Sequence, residues 1–237
     1  MELFYCPTLI SNSTEVNLSP EESHHVKRVF RKKSGEPISL TNGSGLIATG
    51  NIRGFSAQSV TCQIQDIENI PIPPEQNIAV AISTIRPNRM DWAVEKLTEL
   101  GVGVIQPILT QFTEIKTFKY NHLQKISISA IKQSKQAYLP QLRSPLPFRD
   151  WLYQLSISEV QNCFIAHLSA RAESIPKLKL NADKKIILII GPEGGFSEAE
   201  ISIAEEKGIR TVKLAEQILR TETAAITAVA QLKVHLL

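Results

Sequence analysis

Four isoleucines and a leucine, Ile186 to Ile190, run without interruption into Gly191-Pro192-Glu193-Gly194-Gly195. A five-residue aliphatic run with no polar alternation buries both of its faces, which is the position of an inner strand in a parallel sheet. The strand has to stop at Gly191-Pro192. Gly194-Gly195 then admits backbone conformations and close approaches that a Cβ blocks. Ser197 and Glu200 have the S-x-x-E spacing of a capping box, so a helix starts there. Strand, glycine loop and capped helix are the parts from which open α/β sheets build a ligand crevice beyond the strand ends. The pattern predicts an α/β fold and marks this loop as a candidate ligand site. The plainer alternative is a βα turn whose glycines serve packing alone.

The loop is as informative in what it lacks. Neither G-x-x-x-x-G-K-[ST] nor G-x-G-x-x-G occurs in it, so it has no signature of a triphosphate or dinucleotide cradle. Glu193 places a carboxylate inside the loop, which suits a ligand of low negative charge or one with a cationic centre. Cys6, Cys62 and Cys163 are widely spaced and form neither a disulfide framework nor a metal pattern. His24 and His25 have no partner at ligand spacing, so no metal is expected. No run approaches the roughly 18 apolar residues of a membrane span, and MELFYCPTLI lacks the basic start and apolar core of a signal peptide. The expected location is the cytoplasm.

Two charge patterns precede the loop. The formal net charge is only +3, but residues 1 to 72 hold five of their six Lys/Arg between Lys27 and Lys33, and residues 115 to 149 carry seven Lys/Arg and no acid. Two local basic patches orient a near-neutral protein on a polyanion; solvated helix faces are the alternative.

Ser19-Pro20-Glu21-Glu22 reads as a helix start. The helix is expected to turn Val26, Val29 and Phe30 inward and to put Arg28 and Arg31 on one face. Ile38–Leu40, Leu46–Arg53 and Ser59–Ile67 read as strands, with a hairpin turn at Asn42-Gly43-Ser44-Gly45. The prolines of ENIPIPPE disfavour helix and central strand alike. A boundary at residue 72 is therefore expected, with a small β-rich barrel before it and an α/β domain from 73 to 237. In the second domain Ala79–Ile85, Val104–Leu109, Asn162–Ala166 and Thr211–Leu214 read as strands. Helices are expected at Met90–Leu100, with Trp92, Val94, Leu97 and Leu100 apolar, and at about Tyr120–Gln136. A C-terminal helix follows, with Thr221 as its cap.

IGPEGGFSEAEI followed by LAEQILRTETAA resembles the paired C-terminal motifs of the RsmE family, 16S rRNA uridine-N3 methyltransferases of the SPOUT superfamily. HHVKRVFRKKSGEPI is similar to the family's N-terminal domain, which is like the PUA RNA-binding barrel, and TIRPNRMDWAVEKLTELG is similar to its segment of a basic residue, R-M-D and K-x-x-E-L-G. The resemblance implies S-adenosylmethionine as cofactor, a trefoil knot in the parallel sheet, and a homodimer acting on 16S rRNA in the small ribosomal subunit. It implies cofactor contacts from Ile190, Gly191, Pro192, Glu193, Gly194 and Gly195. Leu214, Ala215, Ile218, Leu219 and Thr221 follow in the second loop; His167, at a third, either lines the pocket or is a structural histidine at a strand end. RNA contacts are implied at Arg28, Arg31, Lys32, Arg86 and Arg89; Lys132 is an RNA candidate only through its place on a basic helix face. Arg89 has a structural alternative as partner of Asp91 or Glu95. The chain departs from the family in IKQSKQAYLP: Gln133 is kept, but Lys132 stands for an acid and Gln136 for an arginine.

Methylating uridine N3 removes its proton and spreads negative charge over the uracil oxygens, so a fixed cation lowers the barrier. Within the implied site Arg220 is the candidate, with Glu222 either orienting it, acting as base, or merely complementing the helix dipole. Glu193 could face the sulfonium or the substrate. The alternatives are ribose 2′-O-methylation of rRNA or tRNA by the same superfamily, a non-catalytic ribosome-assembly RNA-binding protein, and an α/β enzyme acting on a small molecule.

Overall fold

The computed structural model describes residues 2–168, 172–178, 180 and 184–236. Contacts divide the chain into two compact units, Met1–Ile72 with Ile128–Leu139, and Pro73–Ser127 with Pro140–Leu237.

The first unit contains β1 (Leu3–Tyr5), β2 (Glu15–Asn17), α1 (Pro20–His24), β3 (Pro37–Thr41), β4 (Leu46–Phe55) and β5 (Val60–Asn69), with sheet order β1-β3-β4-β5-β2. β3, β4 and β5 form an antiparallel meander, and β1 adds parallel to β3. The turn between β3 and β4 puts Gly43 and Gly45 at φ 73° and 101°, values that glycine adopts without penalty. Phe4, Val26, Ile38, Leu40 and Ile52 fill the core.

α1 starts as its sequence predicts, with Ser19 accepting the Glu22 amide at 3.2 Å. Its continuation differs from expectation. After His24 the backbone widens into a π-helical turn, His25–Val29. A wider turn rotates later side chains out of α-helical phase. Val26 stays buried, whereas Val29 and Phe30 are 61% and 46% exposed instead of facing inward. Arg31 lies past the helix at φ 53°, so it shares no helix face with Arg28.

The second unit carries β6 (Ile78–Ser83), α2 (Pro87–Glu99), β7 (Val104–Leu109), α3 (Tyr120–Ser134), β8 (Gln141–Leu142), β9 (Leu146–Pro147), α4 (Phe148–Gln154), α5 (Ile157–Val160), β10 (Cys163–Ala166), β11 (Glu173–Ser174), β12 (Ile186–Ile190), α6 (Glu198–Glu206), β13 (Arg210–Lys213) and α7 (Thr221–Leu236). α3 belongs to this unit only as far as Ser127. The strands form a parallel sheet in the order β11-β13-β10-β12-β6-β7-β8, with β9 alongside β7.

The unbroken aliphatic run of β12 now has its reason. Ile186, Leu188 and Ile190 enter one core with Ile78, Val80 and Ile82 of β6, beneath α2 and α7. Ile187 and Ile189 enter the opposite core with Phe148, Trp151, Phe196 and Ala204. Alternating side chains are buried on both faces, so neither face has room for a polar residue. In α2 the buried residues are Met90, Ala93, Val94 and Leu97; Trp92, expected among them, is 44% exposed.

Candidate active site

The crevice forms where β10, β12 and β13 end. Gly191 follows β12 directly, and a Cβ there would stand 2.8 Å from the Phe196 ring. Gly195 takes φ 71°, with open space where a side chain would project. The Thr221 hydroxyl donates to the Gly191 carbonyl at 2.9 Å, tying the start of α7 to the end of β12. Thr221 is thus the first helical residue and not the cap, a correction to the sequence reading. Ser197 and Glu200 form the expected capping box: the Glu200 amide donates to Ser197 Oγ, and the Ser197 amide to Glu200 Oε2. Glu200 Oε1 also accepts the Gln111 amide at 2.8 Å, joining α6 to the loop after β7.

These loops enclose a cavity of about 260 Å³. Its wall contains His167, Ile190 to Gly195, Leu214, Ala215, Ile218, Leu219 and Thr221, so every residue of the expected cofactor set faces one space. Phe196, Val212 and Lys213 also line it and were not among the expected residues. F-S-x-x-E following the glycines offered the sequence signal for Phe196.

A second cavity of about 840 Å³ shares Pro192, Glu193 and Gly194 with the first. Arg86, Arg89 and Arg220 line it, together with Gln111 to Ile115. Thr113 holds that segment: its hydroxyl accepts the Thr110 amide at 2.8 Å and lies 2.8 Å from Ser83 Oγ. The contribution of residues 111 to 115 escaped the sequence analysis, although T-x-x-T is the spacing of a side-chain-closed turn.

Arg89 has neither of the partners considered for it. Asp91 pairs with His122 at 2.9 Å and Glu95 with Lys96 at 2.7 Å. Arg89 instead forms an ion pair through Nη1 with Glu193, and its Nε lies 3.7 Å from Glu222 Oε1. Glu222 is buried, and its Oε2 has no hydrogen-bond partner. A buried carboxylate needs compensation, and Arg89 is the cation brought to it. Glu222 therefore meets Arg89, not Arg220. Arg220 is exposed and makes no ion pair among the described residues.

The remaining RNA candidates separate into two groups. Arg28, Arg31 and Arg86 are exposed. Lys32, however, pairs with Glu2 at 3.3 Å and donates to the Pro37 carbonyl, while Lys132 pairs with buried Glu22. Both lysines are already neutralised within the protein, which removes the premise for expecting them to grip phosphates. Hydrogen bonding by its own backbone amide, then Lys32, holds the Glu2 carboxyl below its ordinary pKa.

A family model described as RNA methyltransferase domain matches residues 73–233, and one described as RNA methyltransferase PUA domain matches residues 18–65. The chain belongs to this RNA methyltransferase family. Ribosomal RNA small subunit methyltransferase E of Synechocystis is 29% identical over 97% of the chain and 76% of that relative. A probable rRNA-methyltransferase from Porphyromonas gingivalis superimposes with a TM-score of 0.88 at 31% identity, covering 99% and 98% of the two chains. A ribosomal RNA small subunit methyltransferase E from Neisseria gonorrhoeae, solved bound to S-adenosyl methionine, gives 0.87 at 29% identity over 99% and 97%. Family members transfer methyl groups to RNA, and the parallel sheet with its N-terminal PUA-type unit is the family fold. Among the described residues no helix is long and apolar enough to cross a membrane, and no cluster of three or more His, Cys, Asp or Glu could hold a metal.

Proposed function

We propose that this protein is a cytoplasmic S-adenosylmethionine-dependent methyltransferase that methylates N3 of a uridine in the 16S rRNA of the small ribosomal subunit. The observation that carries the reading is the pair of cavities that share the 192–194 loop, one largely apolar and the other bearing three arginines. The first suits the cofactor. Aliphatic walls accept an adenine ring, exposed backbone suits its edges, and Gly195 leaves open the space a side chain would occupy. When bound there, S-adenosylmethionine supplies an electrophilic methyl group.

The chain's own residues hold and polarise the substrate. We assign Arg86 to a phosphate at the second cavity, and Arg220 to stabilising the negative charge that appears on the uracil oxygens as the N3 proton passes to solvent water. Glu193 stands on the wall common to both cavities, where it holds Arg89. Glu222 lines neither cavity, so we assign it to positioning Arg89 and not to proton removal. The loops 191–196 and 214–220 are taken to be threaded as the trefoil knot implied by the family likeness. A homodimer completes the proposal, supported by the uncovered apolar side chains of Ile218 and Val234, 85% and 76% exposed.

The test is methylation of small subunits from cells lacking the endogenous activity, with labelled S-adenosylmethionine and nucleoside analysis. The wild type is expected to give 3-methyluridine, and Arg220→Ala to lose roughly a hundredfold or more in rate while still binding cofactor. Label on ribose would overturn the N3 assignment, and undiminished turnover by Arg220→Ala would overturn the role of Arg220. Light scattering of the purified protein tests the dimer.

A further inference from the structure

The first unit has a cavity of its own, about 540 Å³, that the methyl-transfer site does not use. Part of its lining comes from the β1 end and the π-helical turn, through Glu2, Phe4, His25, Val29 and Phe30, with the Glu2 carboxylate paired to Lys32; the rest comes from Ser129, Lys132, Gln133 and Lys135. Phe30 sits edge-on to buried Phe4, with centroids 5.4 Å apart and planes at 80°, so its ring is fixed although nearly half the side chain is exposed. Ser129, Gln133 and Lys135 are exposed as well. Local backbone geometry here is unusual. The π turn forms part of the lining, and the two non-glycine residues with positive φ among the described residues, Arg31 and Lys135, lie just beyond the turn and in the rest of the lining. Irregular backbone of this sort costs free energy and concentrates at binding sites.

The charge around the cavity is asymmetric. Lys132 is neutralised by Glu22, and Lys32 by Glu2. Lys135 lines the cavity without an ion pair; Arg28, Arg31 and Lys33 do not line it but flank Val29 and Phe30 in the chain, and they too make no ion pair among the described residues. A fixed exposed aromatic, neutral hydrogen-bonding groups beside it and uncompensated cations around it are the elements of a single-stranded RNA subsite. There a base stacks on the ring, its edge meets an amide or hydroxyl, and the backbone runs along the cations. An apolar protein segment would leave those cations without partners. A duplex would have no unstacked base to offer Phe30.

We propose that this cavity binds one unpaired nucleotide of the substrate RNA, with the base against Phe30, its edge at Gln133 or Ser129, and flanking phosphates at Lys135, Arg28 and Arg31. The proposal extends the reading of the chain as an rRNA methyltransferase: the subsite anchors the RNA at a point separate from the reacting uridine.

Fluorescence anisotropy of the full-length protein with a labelled mixed-sequence single-stranded RNA of about ten nucleotides tests it, alongside a duplex of the same sequence. Phe30→Ala is expected to weaken single-strand binding by roughly five- to a hundredfold, and Phe30→Trp to restore it. Gln133→Ala, on the exposed helix surface, is expected to weaken it severalfold without changing thermal stability. All of these variants should bind S-adenosylmethionine like the wild type by calorimetry, so loss of cofactor binding by the wild type itself would count against the enzymatic reading and not against the subsite. Single-strand affinity unchanged in both Phe30→Ala and Gln133→Ala would overturn the proposal. So would an equal loss for single strand and duplex, which marks only a charged surface. Methylation of assembled subunits impaired with RNA affinity intact would assign the cavity to a ribosomal protein and overturn it too.

Discussion

Single residues decide how the crevice is held, and two of them make separable predictions. Gly195 has φ 71° and nothing within 4 Å of a would-be Cβ. Gly195→Ala therefore introduces backbone strain and no clash, and chemical denaturation should show a loss of about 1–2 kcal/mol. Gly191 has the opposite constraint, a ring 2.8 Å away, and a methyl there has to displace Phe196 from the core. In the proposed site Glu222 acts through Arg89. Glu222→Gln removes the buried charge that holds the guanidinium, and methylation kinetics should show kcat falling roughly tenfold or more while KM for S-adenosylmethionine stays within a factor of about two. An unchanged kcat would return Glu222 to a purely structural role. The sequence singled out Glu222 but not its partner, because Arg89 lies on a helix 133 residues earlier and only the fold closes that distance.

Elements differ in how plainly their sequences announce them, and the reason is physical. β12 was legible because a strand buried on both faces tolerates no polar residue, and α6 because its capping box satisfies donors within four residues of sequence. The two-residue strands β8, β9 and β11 left no signal, since pairing with neighbours distant in sequence defines them. The π turn after α1 was equally silent: HHVKRVF satisfies an α-helical pattern and carries no mark of the wider winding. The cavity lining was legible residue by residue through family motifs, but the loop at 111 to 115 was not, because backbone and hydroxyl groups do its work. Removing the α6 cap tests the element directly. Ser197→Ala should cost about 0.5–2 kcal/mol by denaturant titration. Glu200→Ala should cost more, since Oε1 also anchors Gln111.

At the scale of the whole molecule each unit carries buried thiols, Cys6 and Cys62 in the first and Cys163 in the second. Burial first, then neighbouring Cys6, pushes Cys62 up to about 12, and burial pushes Cys163 up as well. The native state thus retains thiol protons that the unfolded chain loses. The stabilisation is fully present below the ordinary thiol range near 8.5 and declines as pH rises from there towards the native values. Denaturant midpoints should fall between about pH 8.5 and 10.5, and thiol-reactive dye should label none of the three thiols in the native protein at pH 8. As urea rises, peptide mapping of the label will show which unit opens first.

The return of residues 128 to 139 to the first unit bears on how such a chain can be recombined. The Lys132–Glu22 pair, the Leu139 amide on the Gly43 carbonyl and the Gly45 amide on the Ala137 carbonyl all join this segment to residues before 72. A genetic crossover at codon 72 would draw the two halves of each of these contacts from different parents. A hybrid with an acid at 132 would set two carboxylates against each other in a buried place. Positions 22 and 132 are thus inherited as one trait, although 110 residues separate them.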